Sequence, residues 1–190
     1  LWHAADKIET TPTPAMKRAS WFYQAKRGGG SLLDYLGYGT TIGTWYQDGR
    51  KPLDVTTVVH RPRGLEVDEQ SITIMRYATG LSTSQTRWGT FTDPWIHQTQ
   101  PKCGFVLKGE EGTISSADYA TTLRIQTRRN SAGEDIPVDR LEAPLQNPIQ
   151  YFVHCIHTGE PITGPLSPKI SRLGQQIVDS AVLSARLGKT

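Results

Sequence analysis

The chain has 190 residues, enough for one large domain that buries most of its surface, and its 36% hydrophobic and 21% charged content is that of a soluble globular chain. Its 21 basic and 18 acidic side chains are spread along the sequence. Basic residues cluster only in short doublets, such as Lys17-Arg18, Lys26-Arg27 and Arg128-Arg129, without the interleaved aromatic residues that read bases. This excludes nucleic acid as a partner. No apolar run approaches the ~18 residues of a membrane span, so no membrane partner is expected.

The chain opens Leu1-Trp2-His3 without an initiating methionine or a signal-peptide pattern, and is expected to be a piece of a longer protein. Cys103 and Cys155 lie far apart in different kinds of element. They read as packed, reduced thiols, and the cytoplasm is the expected compartment.

Residues 1–27 read as an exposed, extended lead-in. Leu1 to Ile8 has the pattern of a strand, and the prolines of Thr10-Thr11-Pro12-Thr13-Pro14 cannot sit inside a helix. The aromatic run Trp21-Phe22-Tyr23 leads into Gly28-Gly29-Gly30, and a helix is predicted from Ser31 to about Gln47 with Ser31 as its cap. Leu32, Leu33, Leu36 and Thr40 share one side of it. Asp34, Tyr38, Thr41 and Trp45 share another. Gly37, Gly39 and Gly43 each cost about 1 kcal/mol in a helix, which implies close packing against something flat such as a sheet.

From Pro52 to about Thr127 the period becomes two. Val55–Val59 is β-branched, Ile72 and Ile74 alternate with Ser71 and Thr73, and Thr79-Gly80 turns into Leu81–Thr90. Phe105 and Leu107 alternate before the turn Gly109-Glu110-Glu111-Gly112, and Thr113–Ser115 and Leu123–Thr127 complete the series. The last fifth returns to helix. Ile149, Phe152, Val153 and Ile156 form a stripe ending at Gly159 and Pro161. A final helix begins with Ser167 as cap and Pro168 in its first turn, turns Ile170, Leu173, Ile177, Val178 and Ala181 inward, and stops at Gly188. The fold class is α+β: a large open sheet, predominantly antiparallel or mixed, with helices on one face.

Three constellations could carry chemistry. Asp34 and Tyr38 lie one turn apart behind a glycine corner that admits a backbone or a flat ligand. A phenol near pKa 10 becomes a usable base only beside a cation, and a carboxylate can orient the hydroxyl it deprotonates. The alternative is an ordinary surface pair. His154-Cys155-Ile156-His157 holds metal-ligand residue types without a second cluster, so no metal site is expected. In Arg87-Trp88-Gly89-Thr90-Phe91-Thr92-Asp93-Pro94-Trp95-Ile96-His97, the Trp, Phe and His side chains either stack on a sugar or line a pocket, or form a sheet-edge aromatic cluster packed on its neighbours. Gly104, Gly109 and Gly112 read as turn residues, because no strand-then-helix setting surrounds them.

Trp21-Phe22 followed by Gly28-Gly29-Gly30-x-Leu32-x-Asp34-x-x-x-Tyr38 resembles the C-terminal domain of the glucose–fructose oxidoreductase/inositol dehydrogenase family. The run Phe105-Val106-Leu107-Lys108-Gly109-Glu110-Glu111-Gly112-Thr113-Ile114 is similar to that family's strand–turn–strand. The segment from Phe152 through Gly159-Glu160-Pro161 to Gly188 is similar to its ending. The resemblance spans nearly all of residues 1–190. It implies a dihydrodipicolinate-reductase-like substrate-binding and oligomerisation domain whose N-terminal Rossmann domain is absent from this chain.

What the resemblance implies is an NAD(P)-dependent oxidoreductase acting on a secondary alcohol of a sugar or polyol such as a cyclitol, with NAD or NADP held mainly by the absent domain. Asp34 and Tyr38 take the catalytic roles, Tyr38 standing where histidine is usual. Gly28, Gly29 and Gly30 face the nicotinamide, and His3 and Asp6 join Trp88 and Trp95 as substrate-binding candidates. The lysine that would lower the pKa of Tyr38 belongs to the absent half, so these residues alone are expected to be inactive. Thr41 stands where many members keep a second acid. Self-association through the open sheet face is expected. The competing reading is a non-catalytic module for carbohydrate or partner binding, or for dimerisation.

Overall fold

A computed structural model of the chain describes residues 13–88 and 102–189. In chain order its helices are α1 (Pro14–Ala19), α2 (Ser31–Tyr46), α3 (Pro148–Thr158) and α4 (Pro168–Leu187). The strands are β1 (Asp54–His60), β2 (Gln70–Tyr77), β3 (Gly80–Arg87), β4 (Gly104–Lys108), β5 (Gly112–Ala117), β6 (Thr122–Thr127) and β7 (Glu134–Pro137). The class is α+β, as the sequence predicts, and of the antiparallel and mixed arrangements it left open every described strand pair is antiparallel. Pairing groups the strands into one sheet ordered β1-β2-β3 and another ordered β4-β5-β6-β7. The described residues gather into two compact units, 13–88 with 155–189, and 102–154.

The lead-in is not extended where it is described. Thr13 Oγ1 accepts the Met16 amide at 3.2 Å, and Pro14 follows at the first helical position, so the proline starts α1 instead of preventing it. Two 3-10 turns, Trp21–Tyr23 and Ala25–Arg27, carry the chain to Gly28, which is left-handed at φ 76°. His3, Asp6 and the expected Leu1–Ile8 strand lie outside the described residues.

In the first unit α2 and α4 cover one face of β1-β2-β3. Ser71, Thr73, Met75 and Tyr77 of β2 face them, and Ile72 and Ile74 are exposed on the other side. A hydrophobic pattern alone would turn the isoleucines inward. The structure turns them outward, and α2 lies close over β3: a β-carbon on Gly39 would come within 2.2 Å of Ser84 Oγ, and one on Gly43 within 3.4 Å of Ser82 Oγ. At these two positions α2 packs directly over serines of β3, which leaves no room for a larger side chain. Gly37 differs, having nothing within 4 Å. The aliphatic contribution comes instead from Leu32, Leu36, Val55, Met75, Tyr77, Ile177, Val178 and Ala181, which form one buried cluster. Burying an aliphatic side chain of this size fully contributes about 1.5–3 kcal/mol. Leu33, expected beside Leu32, is exposed.

Helix α4 follows its sequence pattern. Ser167 Oγ accepts the Ile170 amide at 3.2 Å, and Gly188 closes the helix in the left-handed conformation. Gly174 lets it approach Thr41 of α2, where a β-carbon would meet Thr41 Oγ1 at 2.7 Å. Near its end Ser184 Oγ accepts the Thr57 amide of β1 at 3.0 Å, which ties the helix to the strand.

The second unit is a four-stranded meander. Gly104 and Gly112 begin strands and are not turn residues. A β-carbon on either would lie 2.2 Å from a backbone oxygen across the ladder, of Ser116 and Gln126 respectively. Strand β7 was not legible in the sequence, since Glu134-Asp135-Ile136-Pro137 has little strand propensity and is fixed by pairing with β6. In α3 the stripe Ile149, Phe152, Val153 and Ile156 is exposed and Cys155 is buried. Both cysteines are free thiols, but Cys103 is exposed and not packed.

Candidate functional site

The glycine corner is built by the 3-10 turns meeting the start of α2. Gly30 donates its amide to the Phe22 carbonyl at 2.9 Å. A β-carbon on Gly29 would lie 2.3 Å from that carbonyl oxygen, and one on Gly30 would lie 2.7 Å from Asp68 Oδ1. The chain's own groups therefore occupy the close approach at two of the three glycines. At Gly28 nothing lies within 4 Å of a β-carbon position, which leaves that corner open to a flat ligand.

Ser31 is the first residue of α2 and not its cap. Gly30 is the N-cap and has no side chain, so the capping carboxylate comes from Asp68, in the segment between β1 and β2. Asp68 Oδ2 accepts the Leu32 amide at 2.9 Å and the Ser31 hydroxyl at 2.6 Å, and the Asp68 carbonyl accepts the Ser31 amide at 3.1 Å. The network continues inward, with Ser31 Oγ 3.0 Å from Thr86 Oγ1 and Thr86 Oγ1 2.7 Å from Ser71 Oγ. Sequence reasoning missed Asp68. No local signal marks it, because its partners stand 36 and 37 positions away.

One turn into α2, Asp34 is half-buried, and Tyr38 follows on the same face at 71% exposure. Asp34 donates its amide to the Gly30 carbonyl at 3.1 Å, which ties the acid's backbone to the glycine corner. The Tyr38 ring lies 6.3 Å from that of Tyr35, and Ile42 and Trp45 extend the exposed stripe along the helix. Thr41, expected on this face, is turned towards Gly174 of α4.

Trp88 is only 2% exposed. Its ring packs at 5.9 Å from Phe22, 5.2 Å from Tyr23 and 6.3 Å from Tyr35, and with Leu65 and Val67 these residues form a second buried cluster. Trp88 is thus packed on its neighbours, and among the described residues its ring is buried instead of open to a sugar. Trp95 and the rest of that aromatic turn, from Gly89 to His97, lie outside the described residues. Beneath the cluster Lys17 pairs with Glu69, and its ammonium lies 5.5 Å from the Tyr23 ring centre. Burial pushes the Tyr23 phenol well above its ordinary value, and the charge of Glu69 and its hydrogen bond to the phenol add to the rise.

Among the described residues no group of three His, Cys, Asp or Glu side chains could hold a metal, and His154 and His157 remain helix residues. No helix among them is long and apolar enough to cross a membrane.

No protein-family model matches the chain, and neither does any curated protein. Solved structures do match. UDP-N-acetylglucosamine 3-dehydrogenase GnnA from Acidithiobacillus ferrooxidans superposes with a TM-score of 0.61 at 14% identity, over 82% of this chain and 48% of that one. An NAD-binding protein from Listeria innocua gives 0.59 at 18% identity, over 90% and 49%. An oxidoreductase from Agrobacterium radiobacter, solved with NAD+, L-tartaric acid and magnesium, gives 0.56 at 18%, over 83% and 47%. The chain spans about half the length of these structures. Many of the matching structures are oxidoreductases of the glucose–fructose oxidoreductase/inositol dehydrogenase type. This chain has the α+β fold of the C-terminal domains of such oxidoreductases.

Proposed function

We propose that this chain is the C-terminal, substrate-side domain of a cytoplasmic NAD(P)-dependent oxidoreductase that moves a hydride between the cofactor and a secondary alcohol of a sugar or polyol. The observation that carries the reading is the pairing of an open phenol with a half-buried acid: Tyr38, 71% exposed, stands one turn beyond Asp34 on a helix anchored at the glycine corner. The oxidoreductase fold and the sequence resemblance support it.

The residues present fit a nicotinamide at one position. Gly28 offers an approach without side chains, whereas Gly29 and Gly30 serve the fold and act on the corner through Phe22 and Asp68. When bound, the cofactor supplies the hydride acceptor or donor. The chain's own part is to orient and deprotonate. Asp34 orients the reacting hydroxyl, and Tyr38 takes that hydroxyl's single proton as a phenolate during oxidation and returns it as a phenol during reduction. A phenol does this near neutral pH only beside a cation, which in this reading the missing lysine supplies. The 190 residues alone are therefore inactive, the pocket being completed by a dinucleotide domain.

The same reading has the domain self-associate. Val58, Ile72, Ile74 and Leu81 lie exposed on the sheet face away from the helices, a surface that monomers seldom leave bare.

The experiment is a comparison of wild-type and Tyr38→Phe full-length protein, read by NAD(P)H absorbance over a panel of sugars and polyols. A loss in turnover of about 10²-fold or more is expected. Turnover unchanged in Tyr38→Phe removes the phenol from the mechanism.

A further inference from the structure

We infer that Asp68 is the positioning residue of this site, a cap supplied from a segment distant in sequence that fixes how α2 presents Asp34 and Tyr38. The first turn of a helix leaves amide donors without partners, and a residue before the helix usually satisfies them with its own side chain. Here Gly30 cannot, because the corner requires its positive φ of 114° and has no room for a β-carbon. The backbone that lets the corner form thus removes the local cap, and Asp68 replaces it from the far side of a hairpin.

Its hold is threefold. The Asp68 carbonyl takes the Ser31 amide at 3.1 Å, while one carboxylate oxygen takes the Leu32 amide at 2.9 Å and the Ser31 hydroxyl at 2.6 Å. Through Ser31 the cap is locked to Thr86 and Ser71, so the helix start is hydrogen-bonded to two strands at once. The other carboxylate oxygen borders Gly30. A negative group at this end also complements the helix dipole. The seat that an anion would take at the start of α2 is consequently filled by the protein itself. Asp34 follows directly, since its amide closes the first helical turn on Gly30.

The geometric claim stands on these contacts; its bearing on catalysis rests on the function proposed above. The test separates the two by reading position without turnover. Full-length protein carrying Asp68→Ala or Asp68→Asn is labelled for NMR, and amide exchange along α2 and the ring signals of Tyr35 and Tyr38 are recorded. In Asp68→Ala the Leu32 amide is expected to exchange at least about fivefold faster, as loss of a cap implies, with the amides of Leu36–Thr44 changed less than threefold and both ring signals displaced. Asp68→Asn keeps an acceptor oxygen and is expected to return the rings towards their wild-type positions. It also serves as the folded comparison if the alanine variant unfolds. Uniform acceleration along α2, or tyrosine signals unmoved in both variants, would overturn the assignment. Inactive protein with these shifts intact would instead sink only the hydride-transfer reading.

Discussion

The vacant β-carbon position of Gly29 points at the carbonyl oxygen of Phe22, 2.3 Å away, so the turn before α2 closes only on a residue without a side chain. An alanine there must push backbone against backbone. Gly29→Ala is expected to lower unfolding free energy by about 1–3 kcal/mol in urea titration. Gly37→Ala is the control, because nothing lies within 4 Å of its β-carbon. In the interior of α2 it is expected to stabilise by about 0.5–1 kcal/mol. The opposite order would contradict the tight contact at Phe22.

Trp88 and Tyr38 are both aromatic, and they should respond oppositely to truncation. Trp88→Ala empties a buried site among Phe22, Tyr23 and Tyr35 and is expected to cost about 3–5 kcal/mol. Tyr38→Ala, on the open face of α2, is expected to stay within about 0.5 kcal/mol of wild type. Chemical denaturation of both variants checks the pair, and equal losses would contradict the assigned burial.

Stability should decline in alkali through Tyr23. Its folded-state phenol titrates above the ordinary value of about 10, so between the two values the unfolded chain has released a proton that the native state retains. The stabilisation is complete below about pH 10 and falls as pH rises from there. Tyr23→Phe is expected to flatten this alkaline slope, as measured by urea midpoints from pH 8 to 11. A slope identical to wild type would show that Tyr23 titrates as it does unfolded.

Charge on the open face of the first sheet should oppose self-association. Ile72 sits across from Val58 in the β1–β2 register, with Ile74 two residues along. Ile72→Lys is expected to leave folding intact, since Ile72 is 48% exposed, and to raise the dimer dissociation constant at least tenfold in sedimentation of the full-length protein. A wild-type protein monomeric at every concentration would end the proposal of an interface there.

Much of this was legible in the residue order. Helix α4 could be read from Ser167 to Gly188 because each of its signals, the cap, the proline, the 3.6-residue stripe and the terminal glycine, is local. The span of α2 and the place of Asp34 and Tyr38 one turn apart on it were likewise set by short-range spacing, and so was the α+β class. Tertiary structure alone decided which face of β2 turns inward, where Ser71 and Thr73 are buried and Ile72 and Ile74 are exposed. It also decided that Trp88 packs inside and that Asp68, not Ser31, caps α2. Both outcomes join residues dozens of positions apart, where hydrogen-bond geometry and packing volume choose the partner and sequence spacing carries no trace of the choice.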